Sequence, residues 1–345
     1  MKKSVKIAII IISVLLSLTV VAISTVFILS RAGRLQFHKN DKNITADSVI
    51  EDDDGILYKG NKYKLNTDVV SFLLIGIDKS DTTYSGSVGL NGQADTLLVV
   101  AIDTNTKNVS IIPISRETLV DVNQYTTAGE YSGSVKKQIC LAYDYGKDEQ
   151  QCSENVLLSV SRVLYGINVS SYITMDLAAL EKISNSVGSI PVYVNEDYRD
   201  AESGYYYKKG QTINVKGKSA VYYIHWRTDD VNANTYRMER QKSFITSFVN
   251  KVSNEISKDF TKVVSYYNIA KPYVATNITL SQTTYLATTC LRLNLGDAIN
   301  FKSIPGETFV KDGYVAFTPD AEKLTDIVVE TFYKKVPKTA TQASK

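Results

Sequence analysis

The sequence predicts an α/β fold: a single domain built on a mixed β-sheet, flanked by helices and preceded by one N-terminal transmembrane helix. Three apolar runs, over 69–77, 96–103 and 108–114, are rich in Val, Ile and Leu and are bounded by polar residues or glycine. Runs of this composition are typical of strands buried on both faces of a sheet. Strand-like and helix-like segments alternate after them, which favours one α/β unit.

The predicted transmembrane helix covers residues 7–30, which carry no charge and consist largely of Ile, Val, Leu and Ala. As a helix they would extend about 36 Å, more than the roughly 30 Å of bilayer hydrocarbon. The run is longer than the apolar core of a cleaved signal peptide, so we expect an uncleaved anchor. A short tail precedes it, and a large following domain can be exported largely regardless of its charge. We therefore expect a cytoplasmic N-terminus and an extracytoplasmic body.

These features divide the chain into five parts: a cytoplasmic tail (1–6), the anchor (7–30), a polar stalk (31–60), a folded domain (61–335) and a disordered tail (336–345). In the folded domain the pattern predicts further strands over 171–175 and 190–194 and a polar, tyrosine-rich loop around 200–215. It predicts helices over 138–145, 153–165, 177–187, 217–226, 236–256 and 320–333.

Composition excludes several classes of function. The formal net charge of +3 is too small to indicate a nucleic-acid partner, and no basic groove with interleaved aromatic residues is evident. Three cysteines are too few for a disulfide framework in a domain of this size, although Cys140 and Cys152 could either pair or stay as free thiols. The histidines, His38 and His225, have no cysteine at metal-ligand spacing, so a zinc site is poorly supported.

Charged residues flank the three predicted strands. Asp78 follows the first strand, Asp95 precedes the second and Arg116 follows the third. If the second strand is antiparallel to the other two, all three side chains share one edge of the sheet. Two carboxylates there could hold Mg²⁺ or a similar cation together with phosphate oxygens, and Arg116 would help to bind the phosphate. The alternative, that Asp78 is a turn residue and Asp95 a strand-end cap, is equally compatible with the spacing.

An arginine cluster provides the second candidate site. Only nine of the 39 basic residues are arginine, and three of them are Arg227, Arg237 and Arg240. The planar guanidinium is favoured where a carboxylate or phosphate is bound at fixed geometry. Arg237, Arg240 and Gln241 stand at helical spacing, in line with apolar residues that should face the interior. We interpret the cluster as an anion site; in the alternative, Arg240 only pairs with a nearby acid such as Glu239, Asp229 or Asp230.

With these residues in place, the chain resembles the LytR-CpsA-Psr family from about residue 68 to 335. The resemblance rests on ordered motifs that are specific together and weak singly: Phe72–Asp78, Ala94–Leu98, Ile112–Thr118, Ala142–Gly146, Arg227–Gln241, Ile304–Glu307 and Pro319–Asp320. It implies a Gram-positive cell-wall enzyme that transfers a phosphate-linked glycopolymer, such as teichoic acid or capsule polysaccharide, from a polyprenyl pyrophosphate carrier to peptidoglycan.

The resemblance also implies roles for individual residues. Asp78 and Asp95 match the aspartates associated with magnesium (or manganese), and Asp95 would be catalytic. The residues implied to bind the pyrophosphate head group are Arg116, His225, Arg227, Arg237, Arg240 and Gln241. Among these, Arg116, Arg227 and Arg237 would also be catalytic. A deep apolar pocket between sheet and helices would take the lipid.

Several positions depart from the family pattern, and most of the departures remove charge. Gln93 and His225 stand where arginines are usual, and Asn234 stands where aspartate is common. Glu117, Gln138 and Cys140 replace the usual aspartate, lysine and asparagine. Histidine is fully charged only below its pKa of about 6.5, so weaker head-group binding or a different head group is expected.

Four functions remain compatible with the sequence. The first is the transferase; the second is an anchored protein that binds a polyprenyl lipid or wall polymer without turnover. A lipid-linked pyrophosphate hydrolase is the third, and an adhesin or scaffold with purely structural arginines is the fourth.

Overall fold

A mixed sheet of six strands forms the centre of the computed structural model, which describes residues 24–37, 50–52, 55–77, 91–199, 204–226, 233–291 and 299–337. In chain order its strands are β4 (Val69–Ile77), β5 (Ala94–Asp103), β6 (Val109–Ile114), β9 (Tyr172–Asp176), β14 (Ala275–Thr276) and β15 (Ile299–Phe301). Across the sheet the order is β14-β9-β4-β5-β6-β15. Strand β5 is antiparallel to β4 and β6, whereas β9 is parallel to β4. The predicted α/β class and mixed sheet are confirmed.

The remaining strands form small sheets around this centre. They are β1 (Ile50–Asp52), β2 (Gly55–Tyr58), β3 (Asn61–Leu65), β7 (Leu119–Tyr125), β8 (Tyr131–Gln138), β10 (Ile190–Tyr193), β11 (Tyr198–Arg199), β12 (Tyr206–Tyr207), β13 (Thr212–Val215), β16 (Gly306–Lys311), β17 (Tyr314–Pro319) and β18 (Tyr333–Lys335). The hairpins β7–β8 and β16–β17 were not predicted. Strands β8, β16 and β17 are largely exposed, and β7 alternates buried Val120 and Val122 with polar residues, so none of the four has the continuous apolar run that identifies a buried strand.

Eight helices are described. They are α1 (24–37), α2 (Glu149–Val163), α3 (Leu177–Val187), α4 (Lys218–His225), α5 (Ala233–Lys258), α6 (Lys262–Ala270), α7 (Leu280–Cys290) and α8 (Ala321–Phe332). Side-chain N-caps explain several starting points: Asp148, Asp176 and Asp320 accept backbone N–H bonds at the starts of α2, α3 and α8. The predicted helix over 138–145 is a 3₁₀-helix, Ile139–Tyr145.

The two faces of the central sheet carry separate apolar clusters. On one face Leu73, Ile75 and Val99 are completely buried against α2 and α8. On the other face Val70, Leu98 and Ile111 pack with residues of α1, α5 and α7. A third cluster joins β10 and β13 to α3, α4 and the adjacent side of α5. Helix α5 therefore lies between the sheet and this third cluster.

The N-terminal region differs from the prediction of a polar stalk over 31–60. Gly33 of α1 packs so closely on α7 that an added Cβ would overlap the backbone at Ser281. Phe37, at the end of α1, is 4% exposed within the core. Ile56 of β2 is fully buried. The packed body therefore begins before residue 61, because Gly33, Phe37 and Ile56 pack against the rest of the protein.

Of the predicted transmembrane helix, 7–30, the structure describes only residues 24–30. Residues 1–23, which contain the cytoplasmic tail and most of the predicted transmembrane helix, lie outside the described residues. Within the described ranges, no helix combines the length and the apolar character needed to cross a bilayer. Most of the tail predicted to be disordered, 338–345, also lies outside the description.

Candidate functional site

Strand directions bring two of the predicted charged residues, Asp95 and Arg116, to one edge of the sheet. The end of β4, Ile77, pairs with Ala94 at the start of β5, and Leu97 of β5 pairs with Ile114 at the end of β6. The antiparallel arrangement required by the sequence argument is therefore present. Asp95 and Arg116 lie at this edge; Asp78 comes next after Ile77 but lies outside the described residues, as does the rest of 78–90.

Arg116 and Asp95 form an ion pair at this edge. Both side chains are mostly shielded from solvent, with exposed fractions of 24% for Arg116 and 13% for Asp95. Shielding strengthens the attraction because water screens the charges less. The pair places one carboxylate and one guanidinium beside each other at the end of the central strands.

The surroundings of Arg116 include three of the positions that depart from the family pattern. Its Nη2 donates to Gln93 Oε1 at 2.5 Å and approaches Cys140 Sγ at 3.9 Å. Its Nε lies 3.7 Å from Glu117 Oε1. Arg116 is therefore the positive centre of a group of neutral and acidic side chains.

Burial dominates the chemistry of the Cys140 thiol. It raises the pKa of Cys140 to about 11, although the Arg116 guanidinium acts in the opposite direction. Both Cys140 and Cys152 are buried and free, so the disulfide that the sequence left open is not formed in the structure.

The segment that enters β5 is fastened by a buried amide that the sequence did not single out. Asn91 is 2% exposed, and its backbone N–H donates to Asp144 Oδ1 at 2.8 Å. Its side-chain amide donates to the Gly146 carbonyl at 3.0 Å. Asp144 lies in one of the motifs of the resemblance, and its role here is to fix the chain just before Gln93. A single asparagine in a polar loop gives no sequence signal for burial.

The arginine cluster divides between two sides of α5. Arg240 is 1% exposed; its Nε donates to the Tyr223 carbonyl at 2.8 Å, and its Nη2 donates to the Trp226 carbonyl. Its Nη1 pairs with Glu196, and its guanidinium lies 5.2 Å from the Trp226 ring centre. Arg240 thus fastens α5 to the end of α4. The acid is Glu196, which lies far from Arg240 in sequence and was not among the acids considered.

Arg237 and Gln241 lie on a different side of α5. At four-residue spacing they continue the line of Ile245 and Val249, which pack against the central sheet, whereas Arg240 continues the line of Phe244 into the third cluster. Arg237 is 8% exposed, so its guanidinium is held within the protein. His225 is exposed at the last position of α4. Arg227 and the side chain of Asn234 lie outside the described residues.

A layer of apolar side chains that are only partly buried lies between the central sheet and helices α5 and α7. This apolar layer consists of Phe72, Leu74, Val100, Ile245, Val249 and Leu286, which pack against the buried cluster on that face of the sheet. Complete burial of Leu73 and Ile75 on the opposite face of β4 shows the contrast within one strand. Central strands normally bury both faces. The apolar layer lies between the sheet and the helices, where the family resemblance implied a lipid pocket.

The described residues fit a divalent cation only in combination with a substrate. No group of three or more His, Cys, Asp or Glu side chains within the described ranges is placed to hold a metal. Mg²⁺ often binds one or two protein carboxylates and takes phosphate oxygens and waters for the rest. Asp95 supplies one carboxylate at the sheet edge, and Asp78 would be the second.

Fold and site together define a mixed α/β domain with a carboxylate–guanidinium pair at the sheet edge and a partly buried apolar layer on one sheet face. The chain belongs to the LytR_cpsA_psr family, whose model matches residues 35–332. This match begins before residue 61, in agreement with the early start of the packed body.

Individual relatives support the same assignment. The chain is 30% identical over 240 residues to the polyisoprenyl-teichoic acid–peptidoglycan teichoic acid transferase TagV of Bacillus subtilis (strain 168), covering 66% of this chain and 56% of TagV. It is 25% identical over 276 residues to the corresponding TagU of Bacillus licheniformis, covering 76% of this chain and 77% of TagU. The crystal structure of B. subtilis TagV superposes with a TM-score of 0.59 and 25% identity, covering 76% and 97% of the two chains. The match to TagV thus spans little more than half of that relative's length.

Proposed function

We propose that this chain is a membrane-anchored, extracytoplasmic phosphotransferase that moves a phosphate-linked glycopolymer from a polyprenyl pyrophosphate carrier to peptidoglycan. The observation that carries the proposal is the Arg116–Asp95 pair at the edge of a sheet that carries the partly buried apolar layer on one face. An amphiphile with an anionic head group and an apolar tail needs these two surfaces. The names of TagV and TagU, which refer to polyisoprenyl-linked teichoic acid and peptidoglycan, support the same substrate class.

In the proposed reaction an acceptor hydroxyl attacks the phosphorus that carries the glycopolymer. A new P–O bond forms to the acceptor, the P–O bond to polyprenyl phosphate breaks, and the hydroxyl proton is lost to water. Phosphoryl transfer depends mainly on positioning and on neutralising charge. Arg116 would bind the phosphate that develops charge, while Arg237 and Gln241 would hold the head group from α5. Arg227 and His225 would complete the head-group site.

A Mg²⁺ or Mn²⁺ ion, held by Asp95 and Asp78, would add charge neutralisation at the phosphate oxygens. Asp95 would then serve two partners, pairing with Arg116 and contributing a carboxylate to the cation. Local charge supports this requirement, because Asp95 and Glu117 both flank Arg116. Around Arg116 itself the two carboxylates outnumber the one guanidinium, so a cation at this position would favour the binding of a phosphate.

The proposed membrane location is supported by residues 7–30, whose uncharged, apolar composition fits a single span. The polyprenyl tail, itself a membrane component, is expected to bind along the apolar layer. The predicted anchor shares residues 24–30 with α1 and would keep the domain at the bilayer surface, where such lipids are found.

Lipid analysis of the full-length chain tests the proposal. The chain is purified in mild detergent from its own source membrane, and bound lipid is extracted for mass spectrometry. Polyprenyl phosphates or pyrophosphates should accompany the wild type and be depleted in Arg237→Ala. Purified carrier lipid that bears the glycopolymer should then react with peptidoglycan to give glycopolymer covalently linked to peptidoglycan. Release of free glycopolymer without an acceptor product would instead identify a hydrolase, and bound lipid without any turnover would identify a binding protein.

A further inference from the structure

The tyrosine-rich loop of the sequence forms a short hairpin with two different faces. Strands β11 and β12 pair in antiparallel register, with Arg199 opposite Tyr206. Residues directly opposite each other in such a pair place their side chains on the same face. Lys208 follows Tyr206 by two residues and therefore continues that face. Its ammonium group lies 6.0 Å from the centre of the Tyr206 ring.

The inner face of the hairpin is packed. Tyr207 is 7% exposed, and the Tyr205 ring centre lies 5.9 Å from that of Tyr207 and 5.7 Å from that of Tyr222 in α4. These ring contacts fix the hairpin on α4. Its outer face is consequently presented by a supported element.

The outer face consists of Arg199, Tyr206 and Lys208, all exposed. Tyr206 is 55% exposed, so more than half of a large amphipathic ring meets solvent. A ring between two cations is suited to a ligand that alternates apolar ring faces with negative charges. A sugar ring can lie on the tyrosine, while adjoining phosphates contact the guanidinium and the ammonium group. Asp197, a nearby described acid, accepts a hydrogen bond from the Lys209 backbone N–H at 2.5 Å.

The hairpin is joined to the candidate site through two connections. Tyr222, which contacts Tyr205, lies one helical turn before His225 on α4, a separation of about 5–6 Å between Cβ atoms. Glu196, just before the hairpin, forms the ion pair with Arg240. A polymer leaving a head group bound near His225 could therefore reach the outer face within a few units.

We propose that the outer face of the β11–β12 hairpin binds the sugar–phosphate chain of the donor glycopolymer beyond its pyrophosphate head group. This inference rests on the proposed function and deepens it, because it assigns a second substrate contact to residues outside the head-group site. The committed ligand is a phosphodiester-linked sugar polymer rather than a neutral glycan.

The test measures binding of a lipid-free oligomer of N-acetylglucosamine 1-phosphate to the full-length chain in detergent by isothermal calorimetry. A neutral N-acetylglucosamine oligomer of the same length serves as the comparison ligand. The variants are Tyr206→Ala and the double change Arg199→Ala with Lys208→Ala. Tyr131→Ala is the matched control, because Tyr131 is 59% exposed on the separate β7–β8 hairpin.

We expect each hairpin variant to weaken binding of the phosphate oligomer by about tenfold, equivalent to about 1.4 kcal/mol, and Tyr131→Ala to leave it unchanged. Equal affinity of wild type and hairpin variants overturns the inference. Equal binding of the neutral oligomer also overturns it, since phosphate would then play no part. Copurified polyprenyl lipid reports on the proposed function separately: wild type that carries the lipid, with hairpin variants unaffected in oligomer binding, refutes only the hairpin assignment.

Discussion

Arg240 and Glu196 form an ion pair that joins helix α5 to the segment following strand β10. The exposed fractions are 1% for Arg240 and 17% for Glu196. Because the same guanidinium also binds the carbonyls of Tyr223 and Trp226, this arginine organises the end of α4 and the chain leading to Arg227. The role is structural, and it separates Arg240 from Arg237 although both belong to one sequence cluster.

Arg240→Met should therefore destabilise the fold. Removing one partner from a buried pair costs about 3–5 kcal/mol, because the other charge is left without compensation. Urea unfolding of the full-length chain measures the free energy of unfolding. Arg34→Met is the control, since the Arg34–Asp68 pair is exposed, with fractions of 51% and 28%. A loss no larger than that of the control would contradict the structural role.

Asp95→Asn should abolish most of the proposed transferase activity while leaving the fold intact. The change removes the carboxylate that pairs with Arg116 and would hold the cation, and we expect a decrease in turnover of about 10²–10³-fold. Chelation of divalent ions should have a similar effect, and added Mg²⁺ or Mn²⁺ should restore turnover in wild type only. Glu117→Gln is the matched control, because Glu117 also flanks Arg116 and is not assigned to the cation. Unchanged turnover in Asp95→Asn would remove Asp95 from the catalytic site.

Gly33→Leu should detach helix α1 from α7. Glycine at this position lets the two helices touch, and any side chain would overlap the backbone at Ser281. Detachment would expose Phe37 and loosen the Ser30–Thr288 hydrogen bond of 3.1 Å between the helices. Limited proteolysis should show new cleavage before β1. The control is Leu35→Ala, whose side chain is 70% exposed. Identical digestion patterns for Gly33→Leu and wild type would show that the packing can adapt.

The buried thiols should resist alkylation in the folded chain. Burial raises the pKa of Cys140 to about 11 and that of Cys152 to about 12. At pH 8 both remain protonated, and the thiolate is the reactive form. Iodoacetamide labelling followed by peptide mass spectrometry should modify these two cysteines only after denaturation. Rapid labelling of either one under native conditions would show that its segment opens readily.

Because of the same raised pKa values, the free energy of unfolding should decrease as the pH rises into the alkaline range. An unfolded thiol ionises near its ordinary pKa of 9.0, whereas the folded thiol stays protonated to about 12 at Cys152. The unfolded state is therefore favoured increasingly above pH 9, and the thiol's contribution to stability is lost as pH rises toward 12. Cys152→Ala should show a shallower decline in the free energy of unfolding between pH 9 and 10.5. Parallel declines would assign the pH dependence to other groups.

The sequence by itself determined the central strands and most helices, because apolar runs and helical spacing are local properties of the chain. It also placed Asp95 and Arg116 at strand ends, but their shared edge required β5 to run antiparallel to β4 and β6, which the structure shows. The early start of the body was decided by tertiary packing: α1 and β2 are held by contacts with residues far along the chain.

Tertiary structure also decided which side of α5 each arginine occupies and which residues it contacts. Positions 237, 240 and 241 form one stripe in sequence, but α5 lies between two apolar clusters and exposes a different side to each. Arg240 meets Glu196, whose distance along the chain hides the pairing from any local pattern. Arg237 and Gln241 continue the side of α5 that packs against the central sheet. Ion pairs between distant segments depend on the path of the chain in space, and that path is fixed only when the helices and sheets pack.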